Sequence, residues 1–164
     1  MLALSTPASA WTLGAQAKLY NGLHQEVGVA RLAQLSGGNV YVQVHVHNVP
    51  PGFHGFHVHA IGECVPPFAS AGPHFDRGGH THGSHSGDFP VLLVEQDGTA
   101  NAVFSTDRFE VADLFDGDGS AIIIHADPDN YANIPGRYAA TPDATTRAAG
   151  DSGNRIACGV VQKL

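Results

Sequence analysis

The stretch NVYVQVHVHN, residues 39–48, alternates strictly between apolar and polar side chains. Four valines share one face of an extended chain, and the other face carries Tyr41, Gln43, His45 and His47. A period of two is typical of a β-strand with one face in a core. Because the polar face of an antiparallel sheet is ordinarily solvated, we interpret His45 and His47 as surface residues rather than as a metal-binding pair.

Seven further segments show strand patterns between turns rich in Gly, Pro, Asp and Ser. They are residues 15–20, 27–35, 53–61, 89–95, 100–106, 120–125 and 155–162, with a short helical turn predicted near 109–115. About eight short strands at hairpin-like spacing predict an all-β fold, an antiparallel sandwich or barrel. The segments 62–88 and 126–154 are long and rich in Gly, Pro, Asp and His, which indicates functional or disordered loops.

Length and composition fit one globular domain and disfavour some partners. The chain has 164 residues, of which 43% are hydrophobic and 14% are charged. A formal net charge of −7 argues against nucleic acid and anionic membrane surfaces as partners. We find no apolar run long enough for a transmembrane segment. Histidine is abundant, with 11 residues against 8 Lys and Arg together, which is a weak indication of metal binding.

The first residues bear on the compartment. Ala8-Ser9-Ala10 resembles a signal-peptidase site, yet a charged n-region and a full apolar h-region are missing. We therefore interpret residues 1–10 as either a signal-peptide remnant or a disordered tail, followed by one domain over 11–164. In the cytosol Cys64 and Cys158 would be reduced thiols, whereas outside it one disulfide between them would contribute roughly 2–4 kcal/mol.

Histidines cluster in the stretch GFHGFHVHAIGEC, residues 52–64. On a strand, His57 and His59 project to the same face, where two imidazoles can share a metal ion. His54 projects to the opposite face and is not expected to belong to the set. His57 and His59 are therefore the first candidate ligands of a metal site.

A second cluster lies in the first long loop, within SAGPHFDRGGHTHGSHSGDF, residues 70–89. It contains His74, His80, His82, His85 and Asp88. A histidine-rich tract can bind metals loosely. The added carboxylate and the flexible glycines, however, suit a closed tetrahedral site of three His and one Asp, which favours zinc.

The segment AIIIHADPDN, residues 121–130, ends a β-branched strand on His125, and Asp129 follows four residues later. A carboxylate near metal-bound imidazoles commonly accepts the second ring N–H and fixes the tautomer. The alternative for Asp129 is a turn residue, because DPDN is also strong turn chemistry.

Six motifs in this order resemble the copper/zinc superoxide dismutase family: GFHGFHVHAIGEC, SAGPHF, THG, HSGD, IIIHADPDN and NRIACGVV. The resemblance extends from about residue 15 to the C-terminus. The short gap between His59 and Cys64 is similar to the bacterial, secreted branch. The resemblance implies an eight-stranded antiparallel Greek-key β-sandwich or barrel with two long functional loops.

The resemblance also assigns roles to residues. The implied copper ligands are His57, His59, His74 and His125, and the implied zinc ligands are His74, His82, His85 and Asp88. His74 would bridge the two metals, and Asp129 would connect a copper histidine to a zinc histidine. Arg155 would lie beside the open copper position, Cys64 and Cys158 would form a disulfide, and His54 would hydrogen-bond backbone.

The zinc loop departs from the family pattern. His82 and His85 are only three residues apart, several fewer than in most relatives. The motif THG favours His82 over His80 as the middle zinc ligand. The short loop makes zinc less secure as a cofactor than copper, so a copper-only enzyme is an alternative.

The implied activity is superoxide dismutase, which disproportionates superoxide to dioxygen and hydrogen peroxide by Cu(II)/Cu(I) cycling, with Arg155 and His74 as catalytic residues. The alternative is a non-catalytic copper/zinc-binding module of the cell envelope. The expected partner is superoxide as a small-molecule substrate, and the sequence leaves a homodimer open. The expected location is the periplasm, the cell envelope or the extracellular space.

Overall fold

The computed structural model describes residues 12–138 and 141–164, so the interpretation of residues 1–10 lies outside the described residues. The strands are β1 Thr12–Asn21, β2 Glu26–Gln34, β3 Val40–Val46, β4 Gly52–His54, β5 Phe56–His59, β6 Leu92–Val94, β7 Ala100–Thr106, β8 Ala121–His125, β9 Arg155–Val160 and β10 Gln162–Lys163. Short 3-10 helices span Ala69–Ala71 and Val111–Leu114, and one α-helix, α1, spans Ala144–Ala149. The predicted all-β class is confirmed.

The strands form a curled antiparallel sheet. Its order is β5-β8-β9-β1-β2-β3-β7, with β10 also paired to β1, and β4 pairs with β6 in a separate two-stranded sheet. The chain crosses over twice, because β7 returns to pair with β3 and β8 then pairs with β5. These crossovers agree with the Greek-key architecture that the resemblance implies.

Alternation along the strands places the core. On β3 the four valines are buried while Gln43 and His45 are exposed, as the period of two predicts. All five residues of β8 are buried. Ile122 and Ile124 belong to the main core of the barrel, whereas Ile123 packs with Phe68 and Cys158 in a smaller cluster under the first long loop. A strand covered on both faces explains its continuous apolar run.

Two predicted strands are interrupted, each where another segment binds the backbone. The segment 53–61 divides at Gly55, whose N–H donates to the Asp127 carbonyl at 2.8 Å. A Cβ at Gly55 would lie 2.6 Å from Ser152 Cβ, so only glycine admits the second loop here. The segment 155–162 divides at Val161, whose N–H donates to the Ser120 carbonyl at 2.9 Å.

The second long loop contains a helix that the sequence interpretation missed. In α1 the Asp143 side chain accepts from the Thr146 N–H, and Gly150 ends the helix in the left-handed region at φ 57°. Aspartate before a helix and glycine after it are typical capping residues, so the signal was present. The predicted helical turn near 109–115 is confirmed as the 3-10 helix Val111–Leu114. Among the described residues, no helix has the length and apolarity needed to cross a bilayer.

Candidate metal centre

Two clusters of ligand-type side chains meet beside β5, and all of them are buried except His85, which is half-buried. The first is His57, His59, His74 and His125, and the second is His74, His82, His85 and Asp88. Within each cluster the candidate ligand atoms lie within 4.8 Å of one another. His74 belongs to both, so a single imidazole joins the two clusters. These are the two sets that the sequence resemblance proposed.

The first long loop returns along β5 and brings its histidines there. The Val58 N–H donates to the Gly87 carbonyl, and the Phe75 N–H donates to the Val58 carbonyl, both at 2.9 Å. This pairing sets His74 opposite His59 and Asp88 opposite His57. Backbone hydrogen bonds therefore fix the position of the loop, and the glycines around it allow its tight path.

Three rings of the first cluster each commit one nitrogen to a hydrogen bond with a group outside both clusters, whereas the shared ring of His74 bonds through Nδ1 to Asp88 of the second cluster. His57 Nε2–H donates to Asp129 at 2.8 Å, His59 Nδ1–H to the Gly72 carbonyl at 2.9 Å, and His125 Nδ1–H to the Gly153 carbonyl at 3.1 Å. Such bonds fix the tautomer and leave the other nitrogen with a free lone pair. The free Nε2 atoms of His59 and His125 face each other at 3.3 Å. A bound cation would relieve that repulsion.

Four ring nitrogens at the clusters are buried without a hydrogen-bond partner: His57 Nδ1, His74 Nε2, His82 Nδ1 and His85 Nδ1. An orphaned buried polar atom ordinarily costs about 1–3 kcal/mol, so such atoms need an explanation. All four belong to the residues that the resemblance assigns to metals. Metal coordination would satisfy every one of them.

The second cluster has the dimensions of a tetrahedral site. Asp88 Oδ1 lies 2.8 Å from His74 Nδ1, 3.4 Å from His82 Nδ1 and 3.5 Å from His85 Nδ1. A zinc ion with bonds of about 2.0–2.1 Å separates its ligand atoms by about 3.3 Å. Three imidazoles and one carboxylate at these separations fit zinc, and the imidazoles of the first cluster fit copper.

Asp129 also connects the two clusters. Its carboxylate accepts from His57 Nε2–H at 2.8 Å and from His82 Nε2–H at 2.7 Å. The Tyr131 N–H donates to the same carboxylate at 2.7 Å. Gly150 packs directly against it, and a Cβ there would overlap Asp129 Oδ1. The end of α1 thus helps to hold the connecting carboxylate in place.

Burial and charge divide the histidines into two groups. Burial lowers the pKa of His74 to about 4 and of His125 to about 3, and it lowers the pKa of His57 and of His59 as well. These rings stay neutral at ordinary pH, which a metal ligand requires. Burial disfavours the charged form of His82 too, but hydrogen bonds to Asp129 and Asp88 raise its pKa to about 9.

Arg155 reaches the first cluster from the start of β9. Its guanidinium donates to the Phe68 and Gly72 carbonyls, each at 2.6 Å. The Gly72 carbonyl also accepts from His59 Nδ1–H, so one oxygen serves both side chains. The positive charge of Arg155 contributes to the lowered pKa values of His59 and His125.

A cavity opens beside this arginine. It has a volume of about 560 Å³ and is lined by Pro67, Ala69, Gly153, Asn154 and Arg155. Arg155 carries the one formal charge among the lining residues. The cavity therefore presents a positive group to an entering anion.

The expected disulfide between Cys64 and Cys158 is confirmed, with a Cα–Cα distance of 5.7 Å. It ties the first long loop to β9, three residues beyond Arg155. The loop carries the two carbonyls that hold the guanidinium. The cross-link therefore stabilises the acceptors of Arg155 as well as the fold.

His54 and His80 both lie outside the clusters, where the sequence interpretation put them. The two ring nitrogens of His54 face the carbonyls of Pro50 and His125, each at 2.7 Å. His80 lies at the surface, where its Nδ1–H donates to Asp76 at 2.7 Å. The structure thus brings His82, rather than His80, into the second cluster.

Sequence reasoning missed Arg108, which binds the backbone of residues 83–88, the part of the first long loop that carries His85 and Asp88. Its guanidinium donates to the carbonyls of Gly83 at 3.3 Å, His85 at 3.0 Å and Asp88 at 3.4 Å. Arg108 follows β7 and is separated from these residues by 20 or more positions. Backbone acceptors leave no mark in the sequence, so this contact could not have been anticipated.

An antiparallel barrel with two histidine clusters joined by one imidazole defines a binuclear metalloprotein. The family model for copper/zinc superoxide dismutase (SODC) matches residues 26–161. The chain belongs to this family, whose metals are copper and zinc.

Relatives agree with this assignment. The chain is 39% identical over 176 residues to Superoxide dismutase (Cu-Zn) of Mycolicibacterium paratuberculosis, an alignment that covers 96% of this chain and 77% of that protein. It is 45% identical over 133 residues to the Mycobacterium tuberculosis protein of the same name, covering 71% of this chain and 55% of that protein. The chain thus spans about half the length of the latter relative.

Solved structures share the fold. The Cu/Zn superoxide dismutase of Brucella abortus superposes with a TM-score of 0.73 at 27% identity, covering 90% of this chain and 99% of that one. A SOD-like protein from Bacillus subtilis gives a TM-score of 0.72 at 28% identity, covering 91% of this chain and 99% of that one.

Proposed function

We propose that the protein disproportionates superoxide, converting two superoxide ions and two protons into one dioxygen and one hydrogen peroxide. Copper would be held by His57, His59, His74 and His125, and zinc by His74, His82, His85 and Asp88. Copper bound there would supply one-electron redox chemistry between Cu(II) and Cu(I). The observation that carries the proposal is the shared ring of His74, which presents Nε2 to one cluster and Nδ1 to the other.

The chain's own residues supply binding and protons. Arg155 lines the cavity and attracts the superoxide anion toward the first cluster, although the protein as a whole is negative. With zinc held at Nδ1, the His74 ring would lack that proton and its Nε2 would be far more basic than in the neutral imidazole, so this buried nitrogen would be able to hold a proton for the product. Arg155 also keeps His59 oriented through the shared Gly72 carbonyl.

The test is superoxide decay, followed by pulse radiolysis in protein loaded with known amounts of copper and zinc. We expect the rate to scale with copper content. Arg155→Ala should slow decay at low ionic strength by about tenfold or more and weaken its salt dependence. Arg147→Ala, which removes an exposed charge from α1, is the matched control and should change little.

Three outcomes separate the alternatives. Full copper occupancy without superoxide decay would instead support a non-catalytic copper/zinc-binding module of the envelope. Full activity without zinc would select a copper-only enzyme. An unchanged rate for Arg155→Ala at low salt would remove that residue from the mechanism.

We also propose that the protein works outside the cytoplasm, in the periplasm, the cell envelope or the extracellular space, as a member of the secreted bacterial branch that carries a signal sequence. The disulfide between Cys64 and Cys158 supports this, because such bonds persist in oxidising compartments. Thiol labelling of the protein in fractionated cells tests it, since reduced cysteines in the cytosolic fraction would contradict it. A homodimer stays a prediction, to be tested by light scattering on the purified protein.

A further inference from the structure

Besides the buried clusters, the outer face of β3 and its extension carries two histidines close together. His45 is exposed on the strand, and His47 follows it, half-buried, with its N–H donating to the Val27 carbonyl at 2.8 Å. This hydrogen bond continues the pairing with β2. The two side chains therefore share one face of an extended segment, two residues apart.

The geometry of this pair repeats that of a pair inside the first cluster. The ring centroids of His45 and His47 lie 6.3 Å apart at an interplanar angle of 48°. The values for His57 and His59 are 6.3 Å and 50°. Both pairs belong to the tripeptide His-Val-His. The same backbone conformation thus produces the same two-ring arrangement, once buried and once at the surface.

The surface pair also has ring partners of the kind that orient metal ligands. His45 Nδ1–H donates to Oδ1 of Asn101, its cross-strand neighbour on β7, at 2.7 Å. That bond leaves the lone pair on Nε2 of His45 free for coordination. His47 Nδ1 contacts the exposed amide of Asn48 at 3.1 Å, and an ion can displace this contact at little cost.

The alternation of β3 led us to interpret His45 and His47 as surface residues only, but from their geometry we propose that they form a separate two-imidazole site for a divalent transition-metal ion, which binds Cu(II) more tightly than Zn(II). Imidazole donors suit both ions, and Cu(II) ranks above Zn(II) in affinity for a given nitrogen site. Water completes the coordination, because the face is open to solvent. The site lies on the β2-β3-β7 part of the sheet, whereas the buried clusters lie beside β5.

The experiment begins with the full chain whose two buried clusters are already loaded with copper and zinc. Cu(II) is then added and followed by calorimetry and by electron paramagnetic resonance. We expect one further equivalent of Cu(II) to bind, with a resonance spectrum distinct from that of the buried copper. His45→Ala and His47→Ala should each abolish it, and the double variant should lose no more than either single variant, because both rings are needed for the chelate.

His24→Ala is the matched control, since it removes another exposed histidine and should leave the further equivalent in place. Asn101→Ala should weaken binding about tenfold or more, by releasing the orientation of His45. Absence of a further equivalent in the unaltered protein would overturn the proposal. So would its persistence in His45→Ala or His47→Ala, or its loss in His24→Ala. Superoxide decay by the loaded protein is independent of all these outcomes, so failure here leaves the proposed activity untouched.

Discussion

Replacing Arg108 with alanine should weaken zinc binding while leaving copper binding nearly unchanged. The Arg108 guanidinium donates to three carbonyls of the segment 83–88, which also carries His85 and Asp88. Copper would contact this loop only through His74, which precedes the segment. These three hydrogen bonds of Arg108, which we call the Arg108 clamp, therefore support the zinc half of the site and not the copper half.

The size of the effect follows from the number and exposure of these bonds. A buried hydrogen bond to a charged group contributes about 1.5–3 kcal/mol, and an exposed one contributes much less. Arg108 is largely exposed, so the three bonds together should contribute about 1–2 kcal/mol to holding the loop. Without them the loop must be ordered when zinc binds. We therefore expect zinc affinity to fall by about 5–30-fold.

The assay titrates zinc into copper-loaded protein against a competing chelator, and Co(II) replaces zinc in a parallel titration so that its visible spectrum reports tetrahedral geometry. Arg108→Lys keeps the charge but not the fork of donors, so it should recover only part of the affinity. Arg31→Ala removes one charge from the outer face of β2, on another part of the sheet, and should bind zinc as the unaltered protein does.

Two results would refute the reasoning. Zinc affinity in Arg108→Ala within twofold of that in Arg31→Ala would show that the clamp does not hold the loop. An equal loss of copper and zinc affinity would show that Arg108 supports the barrel as a whole and has no particular role in the loop.

Three further predictions concern protons, packing and the cross-link. Zinc affinity should rise about tenfold per pH unit from about pH 7 toward 9, because His82 has a pKa of about 9 and must lose its proton before it binds zinc. Copper affinity should not change with pH over this range, since His125 has a pKa of about 3 and is already neutral. Calorimetry in buffers of different ionisation enthalpy counts the protons released when each metal binds. An equal dependence of zinc affinity and copper affinity on pH would contradict the prediction. Gly150→Ala should displace the Asp129 carboxylate and so lower both zinc retention and the melting temperature of the loaded protein. Unchanged zinc retention would show that the carboxylate does not need this packing. Cys64→Ser should cost roughly 2–5 kcal/mol of unfolding free energy in urea titrations, and a loss under 1 kcal/mol would contradict the cross-link's role.

The sequence predicted the parts of this molecule that depend on periodicity and ligand type. Alternation identified β3 and its buried face, and the i, i+2 spacing placed His57 and His59 together. The resemblance then added His74 and His125 from two other segments. The alternation and the i, i+2 spacing use side-chain identity at short range, which the sequence records directly, whereas His74 and His125 were placed by the resemblance of their motifs.

The rest could not be read from the sequence because it depends on backbone acceptors and on close approach. The Gly72 carbonyl serves both His59 and Arg155, and the Asp127 carbonyl interrupts a strand at Gly55. Any residue supplies a carbonyl, so these contacts have no sequence signature. Glycine at 150 is a typical helix end, but its close packing against the Asp129 carboxylate appears only once that carboxylate is in place.

These backbone contacts show that the two halves of the centre have separate supports. On the copper side, the loop fixed by the disulfide supplies the Gly72 carbonyl to His59 and Arg155. On the zinc side, Arg108 supports the loop from outside. Among side chains of the described residues, His74 and Asp129 connect the halves. Removal of zinc should therefore increase the mobility of the residues near Arg108 first. It should leave the orientation of His59 unchanged, because the Gly72 carbonyl that accepts from His59 is held on the copper side.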